Sequence, residues 1–401
     1  MGDVTTDERP RPAGPGTMAT PEGRTATWRR MSERGDVYLL PDGRWMLTSA
    51  DAVQQGYREA ETFSSTAMEG VHAEIPVRTI PTAIDPPEHR PFRRLLDPMF
   101  APRVVNAIDE ELRRQIRELV GAIAPTGRCD VMADVATPYP ASVFLAMFGL
   151  PLSDRDQLLE WVSTMVEQTH RHDPEADALS EQASWGIYRY MERVAAEKRE
   201  NPGNDVLSRI VTLEGDEVWP LGDIIGFGIN LTMAGLDTVT AAIGSCLLYL
   251  ARDPELRHRV QADKDVANNF IEEVLRLEPP APMFPRLLMQ DVEISGVLIP
   301  AGSTVMINLA TANRDPRWYP RPDEIDLDHV ELGHFTFGKG IHRCLGSHLA
   351  RRELRLVLEE FHRLIPEYEL EPGFEPRVEW PSGTVRPKEL PLVFPPVPAP
   401  A

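Results

Sequence analysis

The chain has 401 residues, of which 42% are hydrophobic and 26% are charged, and its net charge is −20. These proportions are those of a soluble globular protein, and the negative charge argues against general binding to nucleic acids or to anionic membranes. The three cysteines, Cys129, Cys246 and Cys344, are too few for a disulfide framework, which favours a reducing cytoplasm. No apolar run reaches the ~18 residues of a membrane-spanning helix, so we expect no membrane anchor.

The two ends of the chain differ in composition from its centre. Residues 1–25 are rich in Pro, Gly, Thr and charged side chains and lack the apolar stretch of a secretory signal. We predict a disordered N-terminal tail over 1–25, a single folded domain over 26–395 and a Pro-rich C-terminal tail over 396–401. The domain is long enough for a core that encloses a cofactor.

Sequence periodicity predicts several helices and a few short strands. Two apolar runs, 37–40 and 45–48, flank an Asp-Gly turn and predict a β-hairpin. Two further short strands are predicted at 292–294 and 297–302. Apolar residues at helical spacing predict helices, which we place at 109–124, 153–170, 174–199, 223–250, 270–277 and 347–365.

The predicted helix over 223–250 carries an acid and an alcohol in its middle. Asp237 and Thr238 lie in a mostly apolar stretch, where burial makes both side chains costly. Gly235 and the mid-helix Thr favour a local distortion or widened turn that would leave room for a small ligand. The plainer alternative is that the Thr238 hydroxyl bonds back to a carbonyl of its own helix.

A glycine-rich stretch over 337–346, FGKGIHRCLG, carries a single cysteine just before a helical run. Gly338 and Gly340 can adopt backbone angles closed to other residues, so this loop can curl tightly under a flat ligand. Cys344 would lie near a helix N-terminus, which lowers the pKa of a thiol and favours the thiolate. A thiolate on such a loop is a soft metal ligand, and haem iron is one metal that uses it.

Three other interpretations of this cysteine were weighed. A lone cysteine is often a small buried hydrophobic residue. His342, Cys344 and His348 suggest zinc, but zinc takes four ligands and no second cysteine pair is near. A cysteine protease would need a distant His and Asn or Asp, which the sequence does not exclude.

Two pairs of charged residues have helical spacing. His89 and Arg93 follow an Asp-Pro-Pro helix start and fall on one helix face, where they could hold a carboxylate or form a solvated basic surface. Glu273 and Arg276 are three residues apart and can pair, an interaction of little value on a surface.

Together these motifs resemble a known family. The string F-G-x-G-x-H-x-C-x-G at 337–346 resembles the haem-binding signature of the cytochrome P-450 monooxygenases, with every fixed position present. H-x-x-x-R at 89–93, A-G-x-D-T at 234–238 and E-x-x-R at 273–276 follow the family's order and spacing. The resemblance covers about residues 36–395. It implies a mainly α fold with small β-sheets that encloses haem b between the helix over 223–250 and the Cys344 loop.

The resemblance also implies roles for individual residues. Cys344 would be the axial thiolate, Thr238 would bond to the oxygen that reacts, and Asp237 would deliver protons. Glu273 and Arg276 would be a buried pair that supports the Cys344 loop, although His329 stands where many members have a third partner, an Arg. The remaining residues implied to contact the haem are His89, Arg93, Arg286, Phe337, Gly338, His342 and Gly346.

The function implied by the resemblance is monooxygenation of a hydrophobic small molecule by a soluble, bacterial type of enzyme. NAD(P)H would supply electrons through a small acidic ferredoxin and its reductase, because the chain has no flavin or iron–sulfur domain. A peroxide-driven peroxygenase and a non-enzymatic haem sensor are the alternatives, and the Asp237–Thr238 pair argues against the first.

Family analogy also implies a substrate pocket and a docking face. The pocket is mostly apolar, which suggests a terpenoid, steroid or aromatic substrate; its residues are Met68, Val71, Ile80, Met165, Leu231, Ala234, Met283, Phe284 and Thr384. The ferredoxin would dock on basic residues around the cysteine loop, namely Arg90, Arg94, Arg103, Arg113, Arg114, Lys339, Arg343, Arg351 and Arg352.

Overall fold

The computed structural model describes residues 18, 20–72, 75, 77–168, 174–328, 333–378 and 383–397. The fold is mainly helical, and the helices are α1 (Pro21–Ser32), α2 (Ala50–Arg58), α3 (His89–Leu96), α4 (Pro102–Ala107), α5 (Asp109–Ile123), α6 (Pro138–Phe148), α7 (Arg155–Gln168), α8 (Pro174–Glu200), α9 (Val206–Val211), α10 (Leu221–Arg252), α11 (Pro254–Ala262), α12 (Lys264–Leu277), α13 (Leu309–Ala312) and α14 (Ser347–Leu364). Short 3₁₀ helices include Ser65–His72 and Gly340–His342.

The strands form small sheets at the edge of the helical body. They are β1 (Val37–Leu39), β2 (Trp45–Leu47), β3 (Phe63–Ser64), β4 (Arg128–Asp130), β5 (Met283–Leu288), β6 (Val292–Ile294), β7 (Val297–Ile299), β8 (Thr304–Asn308), β9 (Glu369–Leu370) and β10 (Pro391–Val393). Within the described residues, one sheet has the order β1-β2-β8-β5-β3, a second has β4-β10-β9, and β6 pairs with β7. The first sheet is antiparallel except where β2 runs parallel to β8.

The long helix α10 runs through the centre of the fold and contacts α6, α7, α8, α11, α12 and α14. Most of its residues are buried, and one apolar cluster includes its first half, up to Leu236, while a second includes its second half, from Val239. In the part of the chain that the structure describes, α10 is the helix that is long and apolar enough to cross a membrane, and 72% of its most apolar window is buried inside the protein. Its hydrophobicity is that of a core helix.

Most of the predicted elements are confirmed, with small changes of boundary. The hairpin is β1 and β2, joined by a turn in which Gly43 has a φ of +87°. The helices predicted at 109–124, 174–199 and 223–250 are α5, α8 and α10. Strands β5 and β8 were missed because β5 contains Pro285 and Arg286 and shows no alternation of apolar and polar residues.

The ordered domain extends beyond the predicted boundaries at both ends. Helix α1 begins at Pro21, inside the predicted tail, and the Thr20 side chain caps it by accepting a bond from the Gly23 N–H. Arg24 is buried and pairs with Glu278, which fixes α1 to the rest of the fold. At the other end the Val397 N–H donates to the Ala124 carbonyl at 2.9 Å. Composition suggested tails here, but the capping signal Thr-Pro-Glu marked a helix start.

The segment over 77–84 packs directly on the first half of α10. The Arg78 guanidinium pairs with Asp223, and the Asn230 side chain donates to the Ile80 carbonyl at 2.9 Å. Between these contacts the segment's backbone approaches α10 at Gly226, where an added Cβ would lie 2.1 Å from the Arg78 carbonyl oxygen. The close approach therefore requires glycine at this position.

We expect Gly226→Ala to destabilise the protein by about 1–3 kcal/mol, because the backbone at Arg78 must move away from the new methyl group. Urea unfolding of the two proteins measures this difference. The matched control is Gly222→Ala on the same helix, where an added Cβ meets nothing within 4 Å. That change should be neutral or stabilise by up to ~1 kcal/mol, because Ala has the higher helix propensity. Equal effects of the two changes would contradict the role of the close approach.

Candidate functional site

The loop that carries Cys344 is shaped by two glycines with left-handed backbone angles. Gly338 and Gly340 each have a φ of +65°, and a Cβ on Gly340 would lie 2.5 Å from the Tyr57 carbonyl oxygen. The loop is closed by backbone hydrogen bonds, including one from the Cys344 N–H to the Phe337 carbonyl at 2.8 Å. Its curled shape brings Cys344 to a position just before α14 and agrees with the predicted tight turn.

Cys344 differs from the other two cysteines in that it is accessible, whereas Cys129 and Cys246 are buried. It lies in a depression of about 660 Å³ whose lining includes His89, Arg93 and Arg343. Protein atoms surround the sulfur within this depression, and this burial raises the pKa of the thiol.

The predicted lowering of the Cys344 pKa is therefore wrong for the protein alone. The Gly346 N–H and the guanidinium groups of Arg93, Arg351 and Arg343 favour the thiolate, as a helix N-terminus was expected to do, but burial outweighs them. A metal ion bound at the sulfur would remove the thiol proton outright.

Basic side chains converge near the loop. The rings of His89 and His342 have centroids 4.3 Å apart, and the Nε2 atom of His342 lies 3.0 Å from the Ser65 hydroxyl. Burial, together with the positive charge of Arg286 and Arg93 and the nearby His89, lowers the pKa of His342 to about 3. Burial also lowers the pKa of His89, so both imidazoles are neutral at pH 7.

Two groups of this cluster have fewer partners among the described residues than their burial calls for. Arg286 is buried, and its guanidinium donates to the Pro285 carbonyl at 2.8 Å, but none of the described carboxylates forms an ion pair with it. The buried Nε2 atom of His89 has no hydrogen-bond partner among the described residues. A buried guanidinium without an ion pair and a buried imidazole nitrogen without a hydrogen-bond partner, both judged among the described residues, favour an anionic ligand, and the two propionates of haem supply such a group.

The space at the loop also fits a flat group. A Cβ on Gly346 would meet nothing within 4 Å, so the backbone there borders open space. Phe337 is half-buried and lies under the Arg351 guanidinium, whose centre is 4.4 Å from the ring. Arg93 is partly engaged already, because it pairs with Asp97 and donates to the Arg343 carbonyl at 2.7 Å.

The Glu273–Arg276 pair is buried and supports the chain that leads into the loop. The two side chains form a bidentate pair with both N–O distances at 2.8 Å. Arg276 also donates to the Asn313 carbonyl, and the Asn313 side chain accepts from the Phe335 N–H at 2.7 Å. The third contact on Glu273 comes from the backbone N–H of Asp326 at 2.8 Å. His329 lies outside the described residues.

One face of α10 is open although the rest of the helix is buried. Ala234 is exposed, while Leu231 and Thr238, at helical spacing from it, are half-buried. The helix is continuous through Gly235, so the predicted widened turn is wrong. The Thr238 hydroxyl donates to the Ala234 carbonyl at 2.7 Å, as the plainer alternative proposed.

Asp237 faces a different part of the protein. Its carboxylate is buried, accepts a bond from the Thr384 hydroxyl and lies 3.2 Å from the Arg386 Nε atom. Sequence analysis assigned Thr384 to the substrate pocket and did not identify Arg386. No periodic or motif signal marks an arginine in an irregular C-terminal segment.

The other predicted pocket residues occupy two kinds of environment. Met68, Met283 and Phe284 are half-buried, and Ile80 and Met165 are fully packed in the core. Val71 lies in the 3₁₀ helix Ser65–His72, and its side chain is outside the described part of the structure.

Comparison with known proteins identifies the family. The family model described as Cytochrome P450 matches residues 36–393. The chain is 31% identical to the Vitamin D(3) 25-hydroxylase of Pseudonocardia autotrophica, over 86% of this chain and 87% of that protein. It is 32% identical to the Erythromycin C-12 hydroxylase of Saccharopolyspora erythraea, over 82% of this chain and 84% of that protein.

A solved structure agrees with these sequence matches. The structure of a mutant of P450 EryK in complex with erythromycin B superposes with a TM-score of 0.86 at 27% identity, over 96% of this chain and 99% of that chain. The named relatives are hydroxylases, which are monooxygenase oxidoreductases, and the fold is theirs. The chain belongs to the cytochrome P450 family.

Proposed function

We propose that this protein is a haem-thiolate monooxygenase that hydroxylates a hydrophobic small molecule with O2 and electrons from a ferredoxin. The reaction combines R–H, O2, two electrons and two protons to give R–OH and water. The observation that carries the proposal is the Cys344 loop beside two buried groups, namely an Arg286 guanidinium that forms no ion pair with a described carboxylate and a His89 Nε2 atom that has no hydrogen-bond partner among the described residues. Membership of the family implies haem iron and O2.

The chain's own residues would hold haem b by two kinds of contact. Cys344 would supply a thiolate ligand to the iron, and Arg286, His89 and His342 would hold the propionates, with Arg93 in support. When bound, the haem supplies the oxidation chemistry, and thiolate ligation favours O–O cleavage. The protein orients the substrate and controls the access of protons and water.

Asp237 and Thr238 favour the O2-dependent reaction over the two alternatives. Reduction of O2 consumes protons, and an acid next to an alcohol provides groups that can move them. A peroxide-driven enzyme or a haem sensor has no comparable need for the pair. The open face of α10 at Leu231, Ala234 and Thr238 would place the alcohol hydroxyl on the substrate side.

The substrate is best sought among large hydrophobic natural products. The half-buried Met68, Leu231, Met283 and Phe284 are apolar, and we propose that they contact it. The relatives' names refer to vitamin D3 and erythromycin, a secosteroid and a macrolide. We propose a steroid, terpenoid, aromatic or macrocyclic substrate, and a screen for compounds that shift the haem absorbance tests this choice.

The ion pairs of the structure guide which basic residues we propose for binding a ferredoxin. Five of the predicted cations pair with carboxylates, namely Arg94, Arg113, Arg114, Arg351 and Arg352. No ion pair with a described residue is formed by the other four predicted cations, Arg90, Arg103, Lys339 and Arg343. Arg58, which was not among the predicted cations, also forms no ion pair with a described residue. Arg90 and Arg343 line the depression at Cys344. Burial lowers the pKa of Lys339, and the positive charges of Arg343 and Arg58 lower it further.

We call these five cations the docking patch. Ile341, 41% exposed, lies in the same loop as Lys339 and Arg343 and lines the depression with Arg90 and Arg343, so it adds an apolar side chain beside the patch. A positive patch on a protein of net charge −20 would orient an acidic ferredoxin and raise its association rate. We place the reaction in the cytoplasm, where such carriers and NAD(P)H are available.

Replacing Cys344 tests haem-thiolate ligation. We expect Cys344→Ser or Cys344→His to abolish the red-shifted absorbance band of the reduced carbon-monoxide complex, because that band requires a thiolate on iron. The control is Cys129→Ser, at a buried cysteine in β4, which should keep the band. A band that survives in both Cys344 variants would show that another residue ligates the iron.

Replacing Thr238 tests its part in O2 activation. We expect Thr238→Ala to bind substrate and consume NAD(P)H normally but to form several-fold less product per NAD(P)H, with the electrons lost to peroxide or water. The matched control is Thr232→Ala, since the Thr232 hydroxyl also donates to a carbonyl four residues back, at 2.7 Å, but is fully buried. Unchanged coupling in Thr238→Ala would remove the residue from O2 activation.

Charge reversal tests the docking patch. We expect Arg343→Glu and Arg90→Glu each to raise the KM for ferredoxin several-fold and to leave substrate binding intact, and added salt should slow reduction of the unmodified enzyme. Arg259→Glu is the control, because this exposed residue of α11 changes the net charge equally outside the depression. First-electron transfer that is indifferent to salt and to the patch reversals would place docking elsewhere.

A further inference from the structure

The carboxylate of Asp237 is held by the C-terminal segment of the chain. Its Oδ2 atom accepts from the Thr384 hydroxyl, and its Oδ1 atom lies 3.2 Å from the Arg386 Nε atom. Both carboxylate oxygens therefore have a partner outside α10, a hydrogen-bond donor at Oδ2 and an ion-pair partner at Oδ1. Among the described residues, no hydrogen bond joins Asp237 to Thr238, its neighbour in the sequence.

The segment that carries the two donors is fixed by its backbone. The Val385 N–H donates to the Pro280 carbonyl at 2.8 Å, and the Lys388 N–H donates to the Arg377 carbonyl at 2.8 Å. Pro387 forms a bridge with Val378 and packs toward α10 near Gly244. Thr384 and Arg386 are thus presented to Asp237 by a backbone that has little freedom to follow the carboxylate.

The three side chains differ in their access to water. Asp237 and Thr384 are buried, whereas the Arg386 side chain is 24% exposed. Of the three side chains, Arg386 is therefore the one that both contacts the buried carboxylate of Asp237 and reaches the solvent. An ion pair with one partly exposed partner opens at lower cost than a fully buried pair, because water can take over the guanidinium's hydrogen bonds.

Asp237 must leave these donors before it can act toward the substrate side of α10. We propose that Thr384 and Arg386 are positioning residues that hold Asp237 at rest and set when it takes a proton from the solvent side and passes it to the haem side. The inference rests on the proposed function. Each cycle breaks and re-forms the Asp237–Arg386 pair, binds one proton from water and releases one, and transfers no electrons.

A double-mutant cycle tests this coupling in the haem-loaded enzyme. We expect Arg386→Gln to form at least threefold less product per NAD(P)H and to increase the ratio of rates in H2O and D2O, with substrate binding unchanged. Arg386→Lys, which keeps the charge, should restore most of the coupling. In an Asp237→Asn background Arg386→Gln should have no further effect, because the arginine acts through the carboxylate.

Thr384→Val, which removes the hydroxyl at nearly constant volume, should act in the same direction as Arg386→Gln. The matched control is Arg377→Gln, an exposed arginine of the same C-terminal segment, which should change neither coupling nor the isotope effect. Urea unfolding provides a readout independent of turnover, since Arg386→Gln should lower the midpoint less in the Asp237→Asn background than in the unmodified chain. The double-mutant cycle based on urea unfolding can still be measured if a variant has little activity.

Three results would overturn the proposal while the enzyme still turns over. They are equal effects of Arg386→Gln in both backgrounds, an unchanged isotope effect, and the same losses in the Arg377 control. Failure of the proposed function is a separate outcome, because the unmodified protein would then form no hydroxylated product with ferredoxin and NAD(P)H.

Discussion

Arg286 is buried in the fold, and no carboxylate of the described residues forms an ion pair with it. A charge that is buried without a partner costs several kcal/mol, and burial accordingly lowers the pKa of this guanidinium. His89 and His342 share the same region and stay neutral, which limits the positive charge but leaves Nε2 of His89 without an acceptor. The loop therefore lies beside a group of donors that an anionic ligand would satisfy. Such a ligand would add to the stability of the folded protein because it binds the folded state and has no comparable site in the unfolded chain.

Arg276 shows the opposite arrangement of a buried guanidinium. It pairs with Glu273 in a bidentate geometry and donates to backbone carbonyls that include those of Asn313 and Glu324. Each nitrogen of this guanidinium donates a hydrogen bond inside the protein. Arg276 therefore supports the chain that leads into the loop and has no nitrogen left for a ligand. Both guanidinium groups are similarly buried, so the two arginines differ in their partners, and this difference supports the proposal that Arg286 binds a ligand.

The sequence predicted the parts of the protein that depend on local pattern. Helical periodicity identified α5, α8 and α10, and the spacing of glycines and Cys344 identified the loop, whose conformation Gly338 and Gly340 determine locally. The pairing of β5 with β8 could not be predicted, because it depends on strands brought together by the fold. The thiol pKa was predicted in the wrong direction for the same reason, since the protein atoms that desolvate the Cys344 sulfur are brought there by the whole fold. Arg386 was missed because only tertiary structure brings it to Asp237, 149 positions away in the sequence.

In helix α10, two adjacent residues face different parts of the protein. Successive residues of an α-helix point about 100° apart, so the acid at 237 and the alcohol at 238 face different neighbours. Thr238 lies on the open face with Ala234, and Asp237 faces the C-terminal segment at Thr384 and Arg386. In a static helix the acid therefore stays away from the side where the alcohol is available. Because the helix is continuous and most of its residues are buried, we propose that the movement that brings the acid to the side of the alcohol comes from the Asp237 side chain and its two partners.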